Sequence, residues 1–440
     1  MPARFAPLPA SSKPASSKPV WSMPVWSMPV RSLALLLTLA ATPVAQAQGF
    51  GDGSATSNPD LVAPGSCIAC ASGLAPVEAG PAYSFWSLGL RGAYVVDNQG
   101  SSFESLVLPS FGMGVEGGRR SYTLGAGAEL SQATDEPARV NYLWGAVDGT
   151  YRLDSLTRFE GGLDLNMGQS SINEPWQEDD VANASLEMAL DGEGAIIRDL
   201  GRFTLTARGT AGRSLYGPNG LSDGTAVPME HKNNWRAGGG LRLGYQLTPI
   251  IGVFGDIAGR RQMFDTPSPT IGVRQDNDTY VAKAGVTANW ENHLEIEYAI
   301  GVGLRRFSDE SLSDVASTQY EARLTYTPNV LTTLTAEAYF GLGDETVTSA
   351  TTSPIEANLL VGVAHKLNPT TTLRGSARYD WEQTVGGSAP DSEYALGVGA
   401  DYIVNSRTTI SADYSYINGM RGTNPPDIEH RAVVGVTFTK

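Results

Sequence analysis

From Leu334 to Leu342 the chain alternates Leu334, Ala336, Ala338, Phe340 and Leu342 with Thr335, Glu337, Tyr339 and Gly341. A period of two marks a strand with one apolar and one polar face. The pattern recurs along the chain. Phe203, Leu205 and Ala207 oppose Thr204, Thr206 and Arg208, and Leu294, Ile296, Tyr298, Ile300 and Val302 oppose Glu295 and Glu297. Leu373, Ala377, Tyr379 and Trp381 oppose Arg374, Arg378 and Asp380. About eighteen strands are predicted, near 84–97, 103–117, 120–132, 139–152, 157–170, 183–198, 202–216, 234–247, 250–264, 279–290, 293–307, 317–327, 331–343, 355–367, 371–383, 392–404, 407–417 and 428–439. Beyond Tyr83 there is no helical periodicity.

Most of these segments run to about 11–15 residues. Strands of globular proteins usually have about 5–6 residues, whereas a strand that crosses a bilayer needs about 9–11. The connections alternate short and long. Gly117–Gly118–Arg119, Asp199–Leu200–Gly201, Leu247–Thr248–Pro249, Thr327–Pro328–Asn329, Leu367–Asn368–Pro369 and Val404–Asn405–Ser406 are short. Between them come polar stretches such as SSINEPWQEDDVA, YGPNGLSDGTAVPMEHKNN and FDTPSPTIGVRQDND. Short turns at one end and long loops at the other are the plan of an outer-membrane barrel. The fold expected is therefore all-β, a transmembrane antiparallel up-and-down barrel of eighteen strands (sixteen being the alternative), with periplasmic turns and extracellular loops. The apolar face of 334–342 then meets lipid, and both barrel ends lie in the periplasm.

Charge and composition agree. Charged residues make up 18% of the chain, and no run is apolar for long enough to form a membrane helix. The first 47 residues hold Arg4, Lys13, Lys18 and Arg31 and no acid, which leaves 27 of the 31 basic side chains against all 46 acids, a net of −19. So acidic a body argues against nucleic acid as a partner. Residues 28–48, MPVRSLALLLTLAATPVAQAQ, combine Arg31, an apolar core from Leu33 and Ala45-Gln46-Ala47, the pattern of a secretory signal peptide with cleavage before Gln48. Upstream SSKPASSKP and VWSMPVWSMPV are low in complexity, and Met23 or Met28 are alternative starts. Residues 48–82 read as a flexible periplasmic tail. They carry the only cysteines, Cys67 and Cys70, in CIAC, with no second CxxC to complete a zinc site; a small local disulfide is one reading and two idle thiols the other. Residues 83–440 form the barrel.

Several stretches resemble the beta-barrel porin 2 family of Gram-negative bacteria: LGLRGAYVVDNQG, LVLPSFGMGVEGGRRSYTLGAGAELS, LRLGYQLTPIIGVFGDIAGRRQMFD, LTYTPNVLTTLTAEAYFG and DSEYALGVGADYIVNSRTTISADYSYING. The likeness covers about 83–440 and implies an outer-membrane location, with outer-membrane lipid and lipopolysaccharide around the wall. It also implies an encounter with the outer-membrane assembly machinery through the last strand. Such strands usually end on an aromatic residue, whereas here Phe438 stands two residues before the end.

No catalytic or metal motif stands out. Gly112, Gly114 and Gly117 fit G-x-G-x-x-G, but a turn and another strand follow rather than a helix. His231, His293, His365 and His430 are scattered. No enzyme activity and no cofactor is expected. If the apolar face meets lipid, the polar face lines the lumen, and candidate lining residues are Glu295, Glu297, Arg305, Arg323, Glu337, Arg374, Arg378, Asp401 and Asp413. Further inward acids are Glu129, Asp148, Glu160, Asp164, Glu187, Asp191, Asp256, Glu321, Asp380 and Glu382. Further inward bases are Arg91, Arg152, Arg158, Arg208, Arg236, Arg242, Arg260, Lys283 and Arg431. Acids slightly exceed bases, which suits a passive channel for small solutes with a weak cation preference. A closed structural or adhesive surface barrel acting through acidic loops is the alternative, and a soluble exported β-propeller a weaker one.

Overall fold

The computed structural model describes residues 82–440, except 99, 135–137, 170–180, 270, 292, 344–353, 385–389, 421 and 423–424. The expected leader and the tail with Cys67 and Cys70 lie outside the described residues. The strands, in chain order, are β1 (Ala82–Val96), β2 (Ser101–Glu116), β3 (Arg120–Ala133), β4 (Arg139–Arg152), β5 (Thr157–Gln169), β6 (Val181–Asn183), β7 (Leu186–Leu200), β8 (Phe203–Tyr216), β9 (Asn219–Leu221) and β10 (Ala226–Val227). There follow β11 (Asn234–Gln246), β12 (Ile251–Phe264), β13 (Asn277–Trp290), β14 (Leu294–Phe307), β15 (Val315–Asn329), β16 (Thr332–Leu342), β17 (Pro354–Asn368), β18 (Thr371–Thr384), β19 (Asp391–Asn405), β20 (Thr408–Met420) and β21 (Asp427–Thr439).

All but β6, β9 and β10 belong to a single 18-stranded sheet. Each strand in it pairs antiparallel with the next, and β1 pairs with both β2 and β21, so the sheet closes on itself. One continuous closed sheet excludes the propeller, which would need separate blades. It also settles the count at eighteen rather than sixteen. The short β6, β9 and β10 form a separate three-stranded sheet in the long connections that flank β7 and β8.

Local chemistry makes the short turns. Asn329 Oδ1 accepts the Leu331 amide at 2.9 Å, Asn368 Oδ1 that of Thr370 at 2.9 Å, and Asn405 Oδ1 that of Arg407 at 2.9 Å. These are Asx turns, in which a short polar side chain completes the reversal that the backbone alone cannot. Thr248 Oγ1 does the same for Ile251 at 2.9 Å. In the turn after β4, Asp154 accepts the amides of Leu156 and Thr157, and these bonds hold its carboxyl below the ordinary carboxylate range.

The outward face is apolar and exposed. Aromatic side chains gather near both rims: Trp86, Tyr122, Tyr151, Phe159, Phe203, Trp290, Tyr402 and Phe438 toward the turns, and Tyr94, Phe103, Trp235, Tyr280 and Tyr394 toward the loops. Paired aromatic belts around an apolar band are what a bilayer's two interfaces select.

Two measurements check the facing and the direction. Ala338 faces outward at mid-strand and Glu337 inward; Ala338→Arg should cost about 2–4 kcal/mol in vesicles while Glu337→Arg is tolerated, and equal urea midpoints would reverse the assignment. An epitope placed after Ser311, in the loop between β14 and β15, should be labelled on intact cells. One placed after Asn368 should be labelled only once the outer membrane is permeabilised.

Candidate functional site

The inner wall is crowded because a concave surface brings side chains together. It relieves the crowding with glycine. The Phe85 ring covers Gly112 and the Tyr83 ring covers Gly114, so two of the three glycines of the apparent nucleotide motif are seats for aromatic rings. The Phe254 ring likewise covers Gly285, and Trp144 covers Gly127. A Cβ at any of these positions would collide with the ring.

The same device carries the ion pairs. Neighbouring strands lie about 4.8 Å apart, so an arginine reaches a carboxylate two strands away only if the strand between leaves its path clear. Arg236 on β11 donates to Asp191 on β7 at 2.8 Å, and the intervening residue on β8 is Gly212. Arg208 on β8 forms a bidentate pair with Asp256 on β12, at 2.9 and 2.6 Å, passing over Gly240 of β11. Lys283 on β13 reaches Glu321 on β15 at 2.7 Å, lying across Gly301. Arg374 on β18 reaches Asp413 on β20 at 2.9 Å above Gly399, and also takes Asp401 at 2.7 Å. Arg431 on β21 meets Glu104 on β2 at 3.1 Å, across the closing strand β1.

The nine lining candidates fall in two groups. Glu295, Glu297, Arg323 and Glu337 lie on β14–β16, with Arg323 in register between Glu297 and Glu337. Glu297 is also gripped by Arg242, at 2.8 and 2.7 Å, whose guanidinium lies 3.6 Å from the centre of the Phe254 ring. Arg374, Arg378, Asp401 and Asp413 lie together on β18–β20, where Arg378 pairs with Asp380 and Glu393. Arg305 differs from the rest. It is fully buried and bonds Thr279 Oγ1 at 3.1 Å and the Gly343 carbonyl at 2.6 Å, so it anchors the start of the connection after β16 rather than meeting water. Buried Gln319 and Asn277 stand on the same arc of wall.

Three buried carboxylates were not anticipated: Glu104, Glu393 and Glu429. Around Glu104 both faces of β2 carry apolar residues, Phe103 and Val107 outward and Leu106 and Leu108 inward, so alternation gives no reading there.

Asp148 and Asp164 stand apart. Among the described residues, no hydrogen bond or ion pair ties either carboxylate to a donor. Asp164 lies in register with Asp191, and Asp148 and Glu193 flank Gly162 from either side. The arrangement that elsewhere joins opposite charges across a glycine here brings two acids together.

A family model described as "Putative beta-barrel porin 2" matches residues 122–438. The chain belongs to this family. As a member of the beta-barrel porin 2 family it is an outer-membrane barrel of the porin type, with its apolar band in lipid. A comparison with curated protein sequences finds no match. Among solved structures, OpdK from Pseudomonas aeruginosa aligns at 12% identity and a TM-score of 0.40, over 81% of this chain and 99% of that one. OpdL from Pseudomonas aeruginosa aligns at 13% identity and 0.42, over 82% and 98%. The copper transporter OprC aligns at 11% identity and 0.45, over 83% and 82%. Scores this low carry no inference about substrate.

The glycine seats of this porin-family barrel can be tested directly. Gly399→Val should push Asp413 away from Arg374 and lower stability by about 1–3 kcal/mol, the usual cost of overpacking. The same change at Gly255, where a Cβ would meet open space, should cost much less. Urea unfolding in vesicles compares the two.

Proposed function

We propose that this barrel is a passive channel for small solutes with a weak preference for cations. Its size supports this, because barrels of 16–18 strands leave an aqueous lumen. The observation that carries the ion preference is the inner wall of β4, β5 and β7. Among the described residues Asp148 and Asp164 have no ion-pair partner, while Arg208, Arg236, Arg242, Lys283, Arg374, Arg378 and Arg431 are each held by carboxylates. A low-dielectric wall amplifies a small unbalanced charge into a field that concentrates counter-ions. Delivery to the membrane would follow from residues 1–47 acting as the leader, and recognition by the assembly machinery from β21, where Phe438 points outward.

Reversal potentials across a potassium chloride gradient test the reading. The wild-type barrel should favour potassium, and Asp148→Asn with Asp164→Asn should reduce the preference. Molar salt should abolish it, since the Debye length then falls to about 3 Å. An anion preference would assign the field to other groups. Absence of conductance would favour the closed structural or adhesive barrel, on whose loop-side inner wall Arg305, Gln319 and Asn277 are fully buried.

A further inference from the structure

The outward face should hold no charge where it meets lipid, because an arginine at the bilayer midplane costs about 2–4 kcal/mol and is tolerated only near an interface. On the loop-side half of the barrel, the described outward strand positions contain four ionised residues, Arg213, Arg261, Asp278 and Arg306. They are not spread around the rim. They lie on β8, β12, β13 and β14, with only β11 between, and Arg261, Asp278 and Arg306 occupy one register row on three adjacent strands.

Their bonding separates them. Arg213 is satisfied: it forms a bidentate pair with Asp265, at 2.8 Å for its Nη1, and lies 5.0 Å from the centre of the Trp235 ring. Among the described residues Arg261 and Arg306 have only looser ion pairs. Arg261 Nη1 stands 3.6 Å from Asp278 and Arg306 Nε 3.9 Å from Asp314, both beyond hydrogen-bond reach, and their side chains are 54% and 63% exposed. Each therefore keeps an open guanidinium fork at the outer interface. Below them the wall presents Tyr280, Ile257, Ile300 and Val302, all exposed.

We propose that this face binds lipopolysaccharide, with the phosphates of its headgroup on Arg261 and Arg306 and its acyl chains on the apolar wall beneath. The guanidinium fork matches phosphate oxygens, which favours arginine where phosphate is recognised in two-point geometry. Two strands of separation place the two arginines about 10 Å apart at their backbones, a spacing that two phosphoryl groups of one headgroup can engage. Asp278, between them in register, keeps the guanidiniums apart and competes with the ligand. The site is on the outside of the barrel and does not depend on whether the lumen conducts.

Binding of purified lipopolysaccharide to the detergent-purified barrel, followed by native mass spectrometry, tests this. Arg261→Gln with Arg306→Gln should weaken binding at least tenfold. Arg120→Gln with Arg198→Gln, which removes two outward arginines at the turn side, should leave it unchanged. Asp278→Asn retains both arginines and should tighten binding several-fold, an outcome that does not require the double variant to fold. Enzymatically dephosphorylated lipopolysaccharide should bind the wild-type barrel as weakly as the intact lipid binds the double variant. Phosphatidylglycerol should compete poorly. Equal binding of the dephosphorylated lipid, an equal loss in the turn-side variant, or no response to Asp278→Asn would each overturn the proposal.

Discussion

Inward side chains of this barrel have less room than outward ones, and the inner wall is built around that shortage. Several large groups lie along the wall and rest on a glycine of the neighbouring strand, as Phe85 does on Gly112 and Arg208 on Gly240. Glycine usually weakens a strand, because it has no side chain to pack and more backbone freedom to lose. Here its missing side chain is the packing surface. This accounts for part of the glycine content of the chain, 50 residues, and for a nucleotide-like motif whose Gly112 and Gly114 seat aromatic rings.

Laying charged groups flat has an electrostatic result. An arginine that crosses one strand to a carboxylate on the next cancels its field within the wall. Arg208, Arg236, Lys283, Arg374 and Arg431 are cancelled in this way. What a permeating ion would meet is then set by the few groups the pairing leaves over, and among the described residues Asp148 and Asp164 are of that kind. A count of inward charges overstates the field, since a paired and an unpaired aspartate weigh the same in it. Position on the wall decides which of them acts.

The strand plan was legible because two independent patterns agreed. Period-two alternation placed the strands, and the alternation of short and long connections gave their direction. Asn329, Asn368 and Asn405, readable as turn residues, mark the reversals by side-chain bonds to the amides two positions on. The inner wall was legible only in part. Facing follows from parity, so Glu297 and Arg374 could be named as inward. Partnership depends on residues two or three strands away, as with Arg242 and Glu297, 55 positions apart, and no local pattern encodes that. Arg305 shows the limit: its parity is that of a lining residue, yet the backbone after β16 covers it. The loop strands β6, β9 and β10 are two or three residues long, too short for any periodicity to show.

The ion pairs run around the circumference and skip a strand. Arg236 ties β11 to β7, Arg208 ties β8 to β12, and Lys283 ties β13 to β15. Backbone hydrogen bonds join only adjacent strands and act as hinges, about which a wide ring could flatten into an ellipse under lateral pressure. A tie between alternate strands spans each hinge and fixes the angle there. The lacing is thus a source of hoop stiffness, supplied along the wall itself.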